Sequence, residues 1–136
     1  MKTFLISLVL ISVATGVIAQ TEASYTFVYQ APPEPVSVVG IRTVSAYTLG
    51  SVTENDSSPC IGAYGDDLCK LAREGVDTCA SNEFPKGTKL VVGDGYKCLV
   101  MDRMNSRYKT EIDLGMTSYD EAKMFGRNKL TVSIQK

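Results

Sequence analysis

All four cysteines of this 136-residue chain fall in one segment, at Cys60, Cys69, Cys79 and Cys98, and they restrict the fold more than any other feature. The segment has no Cys-x-x-Cys pair, and the chain contains no histidine. Such a set makes a poor zinc site and a good disulfide framework. Four cysteines allow three pairings. The favoured one joins Cys60 to Cys69 around a short Gly- and Asp-rich loop, and Cys79 to Cys98 between two expected strands. Each bridge is expected to contribute about 2–4 kcal/mol, largely by restricting the unfolded chain. The N-terminus fits an oxidising destination. Lys2, the apolar run over 4–13 and the short residues ending at Ala19 have the layout of a secretory signal peptide cleaved after Ala19. The expected product is secreted or periplasmic, has no membrane anchor, and keeps about 117 residues, enough for one domain.

The formal net charge is −1 and there is no basic run, so neither nucleic acid nor an anionic membrane surface is an expected partner. Residues 20–36 hold three of the five prolines and read as an extended leader. Beyond it, β-branched and aromatic runs predict strands over 38–48, 77–80, 89–92 and 96–101, a short strand carrying Asp113, and a closing strand over 129–134. Gly93-Asp94-Gly95 is a hairpin signal in which Asp-Gly supplies the positive φ angles. Residues 66–73 predict a short helix opened by Asp66 or Asp67. Ser118-Tyr119-Asp120-Glu121 is a capping box that opens a second helix, ending at Gly126. Six short strands, two small helices and two disulfides predict a mostly β chain closed into a small barrel, because closure removes exposed strand edges.

The chemistry-bearing stretch runs from Cys98 to Gly115. It reads as a strand ending in Asp102, a polar loop of about eight residues, and a second strand carrying Asp113. Two carboxylates at strand ends can face each other across a cleft. Without histidine, carboxylate acid/base chemistry is the simplest catalytic option, and it requires no metal or cofactor. On spacing alone the plainer reading is favoured, with Asp102 capping the loop and Asp113 a solvated strand-end residue. Arg103 and Arg107 flank the loop and can pair with Asp102 or contact an anionic substrate.

Five segments in order resemble the three-aspartate (3D) domain. They are Thr43-Val-Ser-Ala-Tyr-Thr48, Ser81-Asn-Glu-Phe-Pro-Lys-Gly-Thr88, Val100-Met-Asp102-Arg-Met-Asn-Ser-Arg-Tyr108, Ile112-Asp113-Leu114 and Glu121-Ala-Lys-Met-Phe-Gly126-Arg127. The resemblance spans residues 41–135, within an expected domain of 37–136. It implies a six-stranded double-psi β-barrel similar to that of membrane-bound lytic transglycosylase A and, more distantly, of expansins. It also implies a monomer that cleaves the β-1,4 bond between N-acetylmuramic acid and N-acetylglucosamine in peptidoglycan, leaving a 1,6-anhydro product. Asp113 matches the acid and Asp102 its partner; Tyr47, Thr48, Tyr64, Arg103 and Tyr108 become the candidate glycan contacts. The sequence departs from the family pattern twice: Ala80 stands where the first aspartate is expected, and the cleft loop reads Gly62-Ala63-Tyr64-Gly65. A non-catalytic carbohydrate-binding or wall-loosening module is the competing reading. It is prompted by Ala80 and by the possible stacking faces of Tyr47, Tyr64, Tyr96 and Tyr108.

Overall fold

The computed structural model describes residue 31, residues 34–54 and residues 58–136. The expected signal peptide and most of the expected leader lie outside these residues. Six strands close into a barrel: β1 (Val36–Thr48), β2 (Thr78–Ser81), β3 (Lys89–Val92), β4 (Tyr96–Asp102), β5 (Ile112–Met116) and β6 (Asn128–Gln135). Around the barrel they run β1-β5-β2-β4-β3-β6. The pairings β1–β5 and β2–β4 are parallel and the other four antiparallel. The two parallel pairs join strands distant in sequence, giving the interlocked crossings of the expected double-psi arrangement. β1 begins at Val36, so the strand takes in the last leader residue, and the Pro35 carbonyl accepts a hydrogen bond from the Lys136 amide.

Side-chain alternation turns one face of the strands into the barrel core, and at β1 and β4 the other face feeds a second apolar cluster. Val44, Cys79, Leu90, Val92, Cys98, Val100, Ile112, Leu114 and Val132 point inward and form the barrel core. Leu49 and Met101 point outward and pack with Leu68 in a second, smaller cluster that Tyr47 and Leu99 extend. Both disulfides form as favoured. Cys79–Cys98 ties β2 to β4 within the core, and Cys60–Cys69 closes the outer loop onto α1 (Leu68–Arg73).

The helices follow their local signals. Asp67, rather than Asp66, caps α1 by accepting from the Lys70 amide at 2.8 Å. Ser118 caps α2 (Tyr119–Phe125) by accepting from the Glu121 amide at 3.3 Å. One turn is built differently from its expectation. At the β3–β4 hairpin, Gly93 and Gly95 take positive φ (58° and 120°), and Asp94 between them does not. The flanking glycines carry the left-handed geometry at no steric cost, so the aspartate need not.

Candidate functional site

The site forms on the outer wall of the barrel, where four neighbouring strands bring one residue each into a row. Ser45 on β1 pairs in register with Asp113 on β5, Asp113 with Ala80 on β2, and Ala80 with Asp102 on β4. In β5 the flanking Ile112 and Leu114 fill the core, so alternation turns Asp113 outward. Asp102 needs a further device. Cys79 pairs with Val100 but Ala80 pairs with Asp102, so Met101 is an extra residue in β4. The resulting bulge lets two consecutive residues face outward, Met101 into the outer cluster and Asp102 into the cleft. One strand, β2, separates the two aspartates, placing their Cα atoms about 10 Å apart at ordinary strand spacing.

Residues 49–54 and 58–67 rise on one side of this row and a loop over 103–111 on the other. The first side is drawn onto β4 at Gly62, where an added Cβ would lie 3.0 Å from the Met101 carbonyl and 3.2 Å from the Leu68 side chain. That close approach puts the Ala63 amide within 2.7 Å of Asp102. The second loop is pinned by Asn82, whose side-chain amide donates to the carbonyls of Met104, Asn105 and Tyr108 at 2.9–3.0 Å. Between the loops lies a cavity of about 530 Å³, bounded by Tyr47, Glu54, Asp102, Arg103 and Asn105. These five residues also border a recess of about 180 Å³ that reaches Ala80, Tyr108 and Asp113. The combined cleft falls in the size range of small-ligand sites.

The two aspartates sit in different surroundings. Asp102 accepts three hydrogen bonds, from the Ala63 amide (2.7 Å), the Arg103 amide (2.8 Å) and the Tyr47 hydroxyl (3.2 Å). Asp113 accepts one from the Ser45 hydroxyl at 2.9 Å, and burial pushes its carboxyl up to about 6. The charges of Glu54 and, last in size, Asp102 push the same way, whereas the Ser45 hydrogen bond and Arg127 oppose them. Desolvation therefore does more to keep Asp113 protonated than its partner aspartate does. The Tyr47 phenol is also pushed upward, first by burial and then by Asp102, so it stays a donor.

Of the candidates chosen from sequence, Asp113, Asp102, Tyr47, Arg103 and Tyr108 line the cleft. Arg103 reaches Asp102 through its backbone amide, in place of the guanidinium pairing considered from sequence. Thr48 is buried, and its amide holds the Glu54 carboxylate at 2.8 Å. Tyr64 lies beyond both lobes, with the Lys86 ammonium 5.6 Å from its ring centre. Lys86 itself pairs with Asp66 at 2.5 Å, tying the Pro-x-Gly-Thr turn to the outer loop. The ring of Tyr108 carries the guanidinium of Arg107 at 4.7 Å and that of Arg127 at 5.8 Å.

Sequence reasoning passed over Ser45, Glu54 and Asn82. Ser45 and Asn82 lie inside the quoted motifs, but nothing local marks them as partners of Asp113 and of the aspartate loop. Cys60, Asp67 and Cys69 form the one cluster of possible metal ligands among the described residues. Its sulfurs are joined to each other and its carboxylate caps α1, so it has no thiolate to offer. No helix among the described residues is long and apolar enough to cross a membrane. No protein-family model matches the chain, nor does any curated protein.

Proposed function

We propose that this protein is an exported lytic transglycosylase-like enzyme of the three-aspartate type, cleaving the β-1,4 bond between N-acetylmuramic acid and N-acetylglucosamine during cell-wall turnover. The observation that carries this reading is Asp113, a half-buried carboxyl group at an open cleft, held protonated toward pH 6. In the proposed reaction the neutral acid gives its proton to the bridging oxygen as the glycosidic bond breaks and the sugar becomes oxocarbenium-like. The resulting carboxylate then takes the proton of the muramyl 6-hydroxyl as that oxygen bonds to its own anomeric carbon. Intramolecular attack replaces both the water and the second carboxylate that an ordinary glycosidase uses. Asp102, with three donors on it, serves as a fixed negative charge facing the developing cation.

The test is incubation of purified protein with peptidoglycan, followed by mass analysis of the soluble fragments. The expected products carry 1,6-anhydromuramyl ends, and Asp113→Asn lowers their rate about 10³-fold, the size of a general-acid contribution. Products ending in a reducing sugar, or full activity in Asp113→Asn, would exclude the mechanism.

One observation favours the second reading, a glycan-binding module without turnover: Ala80 places a methyl group where the resemblance calls for a carboxylate. The tyrosines lend it less support, because cations already cover Tyr64 and Tyr108 and the Tyr47 hydroxyl is engaged by Asp102. Glycan affinity that survives Asp113→Asn, with no product from either protein, would select it.

A further inference from the structure

The cleft contains a third carboxylate. Glu54 borders both lobes, including the recess that holds Asp113. Its Oε2 accepts from the Thr48 amide at 2.8 Å, and Thr48 ends the same strand whose Ser45 hydroxyl holds Asp113. One strand end thus anchors both groups. The Ala80 side chain between Asp113 and Asp102 is too small to fill the row, which leaves the recess open.

We infer that Glu54 is a positioning residue: fixed to the end of β1, its negative charge keeps Asp113 carrying its proton until a substrate fills the cleft. The inference builds on the reading of Asp113 as the acid. The groups around Asp113 come from every neighbouring element. β1 supplies the Ser45 hydroxyl and the Tyr47 phenol, β4 supplies Asp102, and β2 supplies only uncharged Ala80. The 103–111 loop brings Arg103 and Tyr108, and Arg127 follows α2 with its guanidinium 2.6 Å from Glu111. Within this set Ser45 and Arg127 favour the ionised form, and Glu54 opposes it more strongly than Asp102 does. Glu54 is exposed, so its influence crosses solvent and is open to screening by salt.

The experiment is a ¹³C NMR titration of the Asp113 carboxyl carbon in the full-length protein and in Glu54→Gln. Glutamine keeps an acceptor for the Thr48 amide and removes the charge. Asp94→Asn, at the far end of β4, serves as the charge-matched control. At low salt the midpoint in Glu54→Gln is expected to fall by about half a pH unit, the size of effect a carboxylate exerts across a water-filled cleft. That gap narrows at about 0.5 M salt, where screening is short-ranged. An unchanged midpoint in Glu54→Gln, or an equal fall in Asp94→Asn, overturns the inference. If Glu54→Gln does not fold, the Asp113 midpoint of the native protein decides: it must fall as salt is raised to about 0.5 M, and a midpoint unmoved by salt overturns the inference. The alkaline limb of anhydro-product formation should move with the NMR midpoint. A shifted midpoint with no product from any variant retains the charge coupling and removes the glycosidic reading instead.

Discussion

The inside of the barrel and the rim above its outer wall are built from the same strands but hold together differently. Inside, Val44, Val100, Ile112, Leu114 and Val132 are all fully buried, strands pair on both sides, and Cys79–Cys98 lies within the apolar mass. The rim stands on three buried side chains, Leu49, Leu68 and Met101, a few loop hydrogen bonds, and the half-exposed Cys60–Cys69 bridge. The first region has stability in excess of what any single contact provides. The second spends what little it has on aiming two carboxylates. A protein of this size can therefore keep its fold while its cleft changes, and the two disulfides should separate accordingly.

The largest effect tests the interior. Replacing Cys79 and Cys98 by alanine removes a bridge that closes a 19-residue separation and leaves a void among core residues. Urea unfolding should show a loss of about 4–5 kcal/mol, combining the loop-entropy term with a small cavity penalty. Opening Cys60–Cys69 releases a separation of 9 residues outside the core, and about 2–3 kcal/mol is expected. Hydrogen exchange should then accelerate at Gly62, Ala63 and Leu68 while the strand amides stay protected. Equal losses from the two double variants, with uniform exchange, would abolish the distinction between the regions.

A third prediction concerns the cost of the buried acid. The Asp113 carboxyl titrates near 6 in the folded protein against 3.8 unfolded. The folded state therefore holds a proton that the unfolded chain releases, and stability falls as pH rises from about 4 through 6. Asp113→Asn carries no ionisable group, so it should match the native protein below pH 4. Above pH 6 it should exceed it by about 1–2 kcal/mol, a figure reduced from the full linkage value because solvent reaches the cleft. Thermal melts at pH 3.5 and pH 7.5 measure the difference. A variant less stable than native at both pH values would mean that the rim needs the acid for its structure. The smallest effect belongs to Ser45→Ala. Losing a hydrogen bond that favours the ionised carboxyl should raise the Asp113 midpoint further and carry the alkaline limb of product formation upward. A fall in that midpoint would contradict the assignment of the hydroxyl as donor.

Elements governed by neighbours in sequence were legible before the structure. β-branched runs marked the strands, Ser118 with Glu121 marked the opening of α2, and cysteine spacing favoured the pairing that forms. What stayed hidden depends on partners distant in the chain. Asn82 holds carbonyls more than 20 positions away, and Glu54 matters because loop closure carries it back to Thr48 and toward the Asp113 recess. The bulge at Met101 was invisible for a related reason, since register is a property of two strands and no single strand records it. The resemblance paired Asp113 with Asp102, yet burial does more than that partner to hold its proton. Composition reports charge but not the solvent removed from around it.

That extra residue in β4 carries a lesson for anyone editing this protein. A chain lacking Met101 would step from Val100 directly to Asp102 and still deliver the carboxylate opposite Ala80, with a regular ladder and an intact interior. It would, however, take the floorboard from under residues 49–54 and 58–67, where Met101 supports Leu49 and Leu68. Such a deletion would yield a sound container with a slack mouth, a failure that a substrate would feel at once.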